Sequence, residues 1–348
     1  MRICFLGAFT AGGTERASFM VANLLATDNE VFLLNTKQES PTFFLRDLKM
    51  DYLHSGNILK RNWTLLKYLV DNRIDLLITV EAMTGILSII PSKLARCKHI
   101  IWEHANYYQN QGTRFIKAVR QIELLLADGY VVLTKRDYCN FTKNFIVKTR
   151  LAQIYNIADV NSECEYNADS KTIISVGHIR KIKNFGIIPD VGRMVFSIHP
   201  DWCWKIFGLA TGEEYDRIHK KVLEYGLENN IIFAGRSDNI SKEYESASMC
   251  VMTSLMEGLP MVLLEAKTHR LPLISFNIET GPDEIIINGI NGYLINPYNI
   301  EEMAEHINKL IEDRSLRLMM SKESYIDLDK FSENKVIAEW NSLIQCIC

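Results

Sequence analysis

Two kinds of stretch alternate along the chain. Short, nearly uninterrupted apolar runs occupy 3–8, 31–35, 75–80, 99–102 and 130–134. Between them, apolar residues recur every three to four positions over 17–26, 60–70, 84–95, 112–127 and 136–145. The first kind predicts strands, the second helices. Strands without polar alternation are covered on both faces, which predicts a parallel sheet flanked by helices. A polar segment, 161–171, interrupts the pattern. The pattern then restarts, with strands predicted at 172–176, 204–208, 231–234, 249–253, 273–276 and 292–295. Helices are predicted at 213–225, 261–268, 301–312 and 333–344.

Length agrees with the restart. At 348 residues the chain suits two α/β domains of ordinary size better than one. The predicted division is 1–160, 161–325 and a terminal helical segment 326–348. Apolar residues make up 47% and charged residues 23%, as in a globular protein. No run approaches 18 apolar residues, so no membrane-spanning helix is predicted. Residues 1–11 are apolar but lead directly into a strand pattern, so no secretory leader is expected. The eight scattered cysteines lack metal-ligand spacing and read as free thiols of a reducing, cytoplasmic compartment; the terminal Cys346-Ile347-Cys348 reads as an uninformative tail.

Charge changes the picture more than composition does. Residues 1–150 hold 20 basic against 13 acidic residues, a net +7, and residues 151–348 hold 19 against 29, a net −10. A basic first half suits an anionic surface, such as membrane phospholipid or a lipid-linked pyrophosphate. The 112–127 helix, with Arg114, Lys117 and Arg120 at helical spacing, could either lie on such a surface or present a solvated face. No nucleic-acid motif accompanies the charge.

The chemistry gathers in 249–268, read as strand, turn and helix. Pro260 is expected as the first helical residue, since it lacks an N–H that the helix leaves unpaired anyway. Glu257 lies in the turn and Glu265 in the helix, eight positions apart and, at 1.5 Å per residue, roughly two turns below the mouth. Each alone would be an ordinary helix-associated acid. Together they can hold two ends of a ligand whose phosphate meets the N–H groups of Gly258, Leu259 and the helix start. After the 172–176 strand, His178, Arg180, Lys181 and Lys183 could bind a diphosphate, or be surface charge. Gly12-Gly13 follows the first strand without a dinucleotide fingerprint, and either lets a ligand approach the backbone or makes a tight turn. His104 follows a strand at the edge where open α/β sheets bind ligands. Asp327-Leu328-Asp329 lies between helices and reads as surface charge, so no metal site is expected.

Glu257-Gly258-Leu259-Pro260-Met261-Val262-Leu263-Leu264-Glu265-Ala266 resembles the Glu-x7-Glu signature of retaining glycosyltransferases of family 4. Thr280-Gly281-Pro282-Asp283-Glu284 and Asn288-Gly289-Ile290-Asn291-Gly292-Tyr293 extend the resemblance over more than forty residues. It implies a GT-B fold: two Rossmann-like doubly wound domains facing a cleft, with a C-terminal helix crossing back to the first. It implies sugar transfer from a nucleotide donor, by default UDP-linked, to a hydroxyl of a glycan or lipid-linked acceptor, with retention and no metal or other cofactor. By analogy the setting is bacterial surface-polysaccharide assembly, possible peripheral contact with the inner membrane face included. Glu265 would hold the ribose hydroxyls and Glu257 those of the transferred sugar. Gly12 and Gly13 resemble the family's loop near donor phosphates and acceptor, and His104 falls in a Glu-His-x-Asn segment that faces the donor sugar. Lys183 matches the diphosphate-binding lysine. The arginine of that loop is replaced by His178, so protonated His178 or neighbouring Arg180 takes its role. Arg236 ends a strand where the family contacts the nucleobase. Two alternatives stay open: a nucleotide-sugar epimerase on the same fold, and a binding-only relic.

Overall fold

Apolar runs become central strands here because a strand covered on both sides has no face to leave polar. The computed structural model describes residues 1–9, 12–37, 48–53, 56–109, 114–159 and 165–348. Expectations for 112–113 and for the start of the 161–171 segment lie outside the described residues. The chain divides into one unit of Met1–Ile157 with Lys330–Cys348 and another of Ala158–Asp329.

The first unit runs β1 (Arg2–Gly7), α1 (Gly13–Leu25), β2 (Glu30–Asn35), β3 (Lys49–Tyr52), α2 (Ile58–Asp71), β4 (Leu76–Val80) and α3 (Ala82–Leu94). It continues with β5 (Lys98–Trp102), α4 (Arg114–Leu126), β6 (Gly129–Val132), α5 (Lys135–Asn144) and β7 (Arg150–Gln153). All seven strands are parallel, in the order β3-β2-β1-β4-β5-β6-β7. On one face, Cys4, Leu6, Phe32, Leu34 and Leu77 pack against Leu65 and Leu69 of α2. Further along, Ile101, Tyr130 and Val132 pack against Leu124 of α4. Helices α2, α3 and α4 lie side by side in that order.

The second unit runs β8 (Thr172–Val176), α6 (Ile188–Phe196), β9 (Cys203–Phe207), α7 (Glu213–Glu224), β10 (Ile231–Gly235), α8 (Ile240–Glu245) and β11 (Met249–Met252). Then come α9 (Met261–Thr268), β12 (Leu273–Phe276), α10 (Pro282–Ile285), β13 (Gly292–Ile295), α11 (Ile300–Glu312) and α12 (Arg314–Lys322). Its six strands are also parallel, in the order β10-β9-β8-β11-β12-β13. Each sheet therefore reverses its winding once, between β1 and β4 and between β8 and β11, where strand ends part and leave room for a ligand.

The last helix, α13 (Glu333–Ile347), belongs to the first unit. Its fully buried Trp340 meets Trp102 of β5 edge-on, with centroids 4.9 Å apart. Side-chain oxygens of Asn57, Thr134, Asn299, Asp313 and Ser332 cap the N-termini of α2, α5, α11, α12 and α13. The cysteines among the described residues are free, and no helix among those residues is long and apolar enough to cross a membrane.

Arg120 corrects one expectation. It does not share the outer face of α4 with Arg114 and Lys117 but is buried, its Nε donating to Glu103 Oε2 at 3.1 Å. Its other nitrogens donate to the carbonyls of Tyr107 and Asn106 at 2.9 and 3.0 Å, fixing the loop after β5. A buried guanidinium satisfied this way is a structural clamp rather than a surface charge.

Candidate active site

In the second unit, the loop after β8 and the loop after β11 meet where the sheet reverses. Strands β8 and β11 pair only as far as Cys250 with Ile174. Beyond that point Ser175 Oγ donates to the Val251 carbonyl at 2.5 Å and accepts from Trp204 Nε1 at 2.9 Å. The loops then join. Leu255 N–H donates to the Ile182 carbonyl at 2.9 Å, and Thr253 Oγ1 donates to the Lys183 carbonyl at 2.8 Å. Lys183 Nζ completes the joint with a 2.7 Å bond to Glu257 Oε1, both side chains being mostly buried. A third loop braces these two: Thr280 Oγ1 donates to the Glu257 carbonyl at 2.6 Å. Gly281, at φ +102°, lies so close that a Cβ there would fall 2.5 Å from both the Gly258 carbonyl oxygen and Pro260 Cδ.

Pro260 is not the first helical residue. It is the N-cap, with φ −73° and ψ 105°, and α9 begins at Met261. A proline ring fixes φ but not ψ, and here ψ is extended. Proline offers no capping oxygen, so the first turn of α9 has no side-chain cap from this residue. Glu265 is accordingly one turn into the helix, about 6 Å from its start at 1.5 Å per residue, and not two turns. The carboxylate accepts from Tyr244 Oη at 3.0 Å. Tyr244 is itself fully buried and stacks on His269, which bonds Ser241 at 2.6 Å and the Glu265 carbonyl at 2.7 Å.

The cations gather beside this pair. Burial, then the guanidinium groups of Arg236 and Arg180 and the Lys183 ammonium, pushes the His178 imidazole below its ordinary range. His178 Nδ1 accepts from the Leu209 N–H at 3.0 Å, so in the neutral ring the proton is on Nε2. The ring is thus a neutral donor among three permanent cations. Arg180 and Arg236 are exposed. His178, Arg180, Lys183, Arg236, Glu257, Gly258, Leu259, Pro260 and Glu265 all stand at the carboxyl edge of the second unit's sheet.

Gly12, Gly13 and His104 belong to the first unit. Gly12 caps α1 at φ +143° with open space where a Cβ would go, and Gly13 is the first residue of that helix. Buried Asn35 anchors the approach to this turn, accepting from Phe9 N–H at 3.0 Å and donating to the Phe9 carbonyl at 2.8 Å. His104 leaves the end of β5 beside Trp102, with centroids 4.5 Å apart. Burial pushes its imidazole down to about 3, so the ring is neutral at physiological pH.

Sequence patterns did not reveal Glu81 or Asn35. Glu81 follows β4 as the N-cap of α3, beside the first sheet's reversal, at φ +73° and ψ 138°. Burial and the nearby Glu103 raise its pKa. A non-glycine residue held in that conformation at a ligand-binding edge marks a constrained position. No periodicity could show it, because the signal is a backbone angle.

Comparison with known proteins follows the same lines. The profile of glycosyl transferases group 1 matches residues 162–327. The chain is 30% identical over 354 residues to an uncharacterized glycosyltransferase of Haemophilus influenzae, covering 96% of this chain and 97% of that one. It is 27% identical to the amylovoran biosynthesis glycosyltransferase AmsD of Erwinia amylovora, covering 97% of each. Among solved structures, Anabaena HepE in complex with UDP and glucose superposes with a TM-score of 0.86 at 17% identity, covering 99% of this chain and all of that one. The two all-parallel sheets are those of the GT-B fold. The chain belongs to the group 1 glycosyltransferases.

Proposed function

We propose that this glycosyltransferase moves a sugar from a nucleotide donor, UDP-linked, to a hydroxyl of a glycan or lipid-linked acceptor during bacterial surface-polysaccharide assembly. The observation that carries the reading is the Lys183–Glu257 pair, which ties two ligand-binding loops together at the sheet's reversal. Relatives support the setting: one is named for amylovoran biosynthesis. Another, 23% identical over 99% of this chain, is a Campylobacter jejuni transferase named for an undecaprenol-linked substrate.

Departure of the nucleotide leaves charge on a diphosphate. Lys183, Arg180, Arg236 and the His178 Nε2–H supply donors to it, and the α9 N-terminus adds a partial positive charge. These groups answer the charge without a metal. Glu265, positioned by Tyr244, accepts from the ribose hydroxyls. Glu257, oriented by Lys183, accepts from the hydroxyls of the transferred sugar. Transfer then proceeds on the face the phosphate leaves, with retention, the departing phosphate taking the acceptor's proton.

A thermal-shift screen of nucleotide sugars tests the donor, because a ligand of the native state raises the melting point. Lys183→Ala removes a charge-assisted bond of about 2 kcal/mol, so UDP affinity falls roughly 30-fold. Unchanged UDP affinity in that variant would overturn the assignment. Donor incubated alone separates transfer from epimerisation, the anomeric configuration of the product reports retention, and full activity in a chelator reports independence from metal.

A further inference from the structure

We propose that the outward faces of α2, α3 and α4 together form a docking surface for an anionic phospholipid bilayer. It deepens the acceptor side of the reading above, resting on it for its purpose but not for its test.

Each of the three neighbouring helices is apolar on two sides. Inward, Leu65 and Leu69 of α2, Ile89 of α3 and Leu124 of α4 complete the core. Outward, each carries a second apolar line that the core does not use. On α2 it is Leu59, Trp63 and Val70; on α3, Met83, Ile90 and Leu94; on α4, Phe115, Ile122 and Leu126. Every trio uses steps of four and seven residues, so each runs straight along one side of its helix. These nine side chains are between 42% and 77% exposed. Since α2 lies against α3 and α3 against α4, the lines are adjacent. Soluble proteins rarely leave apolar surface contiguous over such a breadth without a partner.

Charge selects the partner. Lys60 and Lys67 border the Trp63 line, Lys93 borders that of α3, and Arg114 and Lys117 are exposed on α4. Against them, Asp71 is the one exposed acid of the three helices, because Glu123 is fully buried. Apolar lines with tryptophan, bordered by cations, suit the boundary between acyl chains and anionic headgroups. With Arg120 turned inward, the surface rests on the apolar lines of three helices and not on the charge of α4 alone.

The test is co-sedimentation of the full chain with vesicles of phosphatidylglycerol and phosphatidylcholine, without nucleotide or acceptor. Wild type is expected to pellet with these vesicles, less as salt rises, and to stay in solution with phosphatidylcholine alone. The double variants L59Q/W63Q and I90Q/L94Q should each weaken partitioning at least about tenfold. K60E/K67E should weaken it most at low salt. All three should keep the wild-type melting temperature and UDP-induced shift, which separates failure here from failure of the donor assignment. Failure of wild type to pellet, or equal pelleting by the apolar variants, overturns the proposal. So does a vesicle-indifferent dimer that L59Q/W63Q converts to monomer, since a second copy would then cover the face.

Discussion

Gly281→Ala, set beside Gly289→Ala, tests how the active-site loops are braced. Both glycines sit at positive φ, +102° and +78°, so alanine at either position costs about 1–2 kcal/mol of backbone strain. Their surroundings differ. A Cβ at 289 meets nothing within 4 Å, whereas at 281 it falls 2.5 Å from Gly258 O and from Pro260 Cδ. Ordinary contact needs roughly 1 Å more, so the 258–260 segment must move or strain, at about 1–3 kcal/mol further. With about 3 °C per kcal/mol for a unit of this size, Gly281→Ala should lower the melting point by roughly 6–15 °C and Gly289→Ala by about 3–6 °C. The displaced segment carries Glu257 at one end and the start of α9 at the other. A shift of about 1 Å there should cost transfer on the order of 100-fold. Calorimetry and a donor-hydrolysis or transfer assay on the two variants read both numbers. Equal melting points, or full activity in Gly281→Ala, would refute the claim that this glycine holds the loop.

Three further outcomes can be checked. Burial, then the Glu103 charge, pushes buried Glu123 up to about 9, so the folded protein keeps a proton that the unfolded chain releases above its ordinary 4.5. Its contribution is therefore fully present below pH 4.5 and declines as pH rises toward 9. Glu123→Gln should remove that decline, a gain of at most about 3 kcal/mol at pH 7, and denaturant titrations at pH 5 and 8 should converge; wild-type pH dependence in the variant would show that the acid is not held neutral. Glu81→Gly relieves the +73° backbone, and after the entropy of the new glycine should gain about 1 kcal/mol while transfer falls; loss of stability would mean the side chain, not the backbone, is what the site holds. Tyr244→Phe leaves the packing but removes the bond to Glu265, so UDP binding should weaken about 5–10-fold with little change in melting; unchanged affinity would separate Tyr244 from the ribose contact.

What could be read from the sequence divides along a physical line. Strands announce themselves where the run is apolar, and all six of the second unit were legible, the edge strands β10 and β13 included. The first unit's edge strands β3 and β7 were not: Lys-Met-Asp-Tyr is mostly exposed, Arg-Leu-Ala-Gln is only half-buried, and neither carries an apolar run. Local order was legible where it follows a known pattern: Glu257 lies in the loop and Glu265 in the helix after β11, as read. Polar contacts across the fold were not, since Asn35 holds a carbonyl 26 positions away and Lys183 meets a carboxylate 74 positions away. Arg120 is the instructive failure, because its signal was present. Val119, Arg120, Glu123 and Leu124 share the inward stripe of α4, so a cation and an acid both lie where periodicity demands burial. Charges on such a stripe must be paired or neutralised. Both happen: Arg120 finds Glu103 from another element, and Glu123 keeps its proton. The spacing thus already required that these two side chains be compensated, although the reading placed Arg120 on the outer face; the identity of each compensating group depends on strand order, which no local spacing encodes.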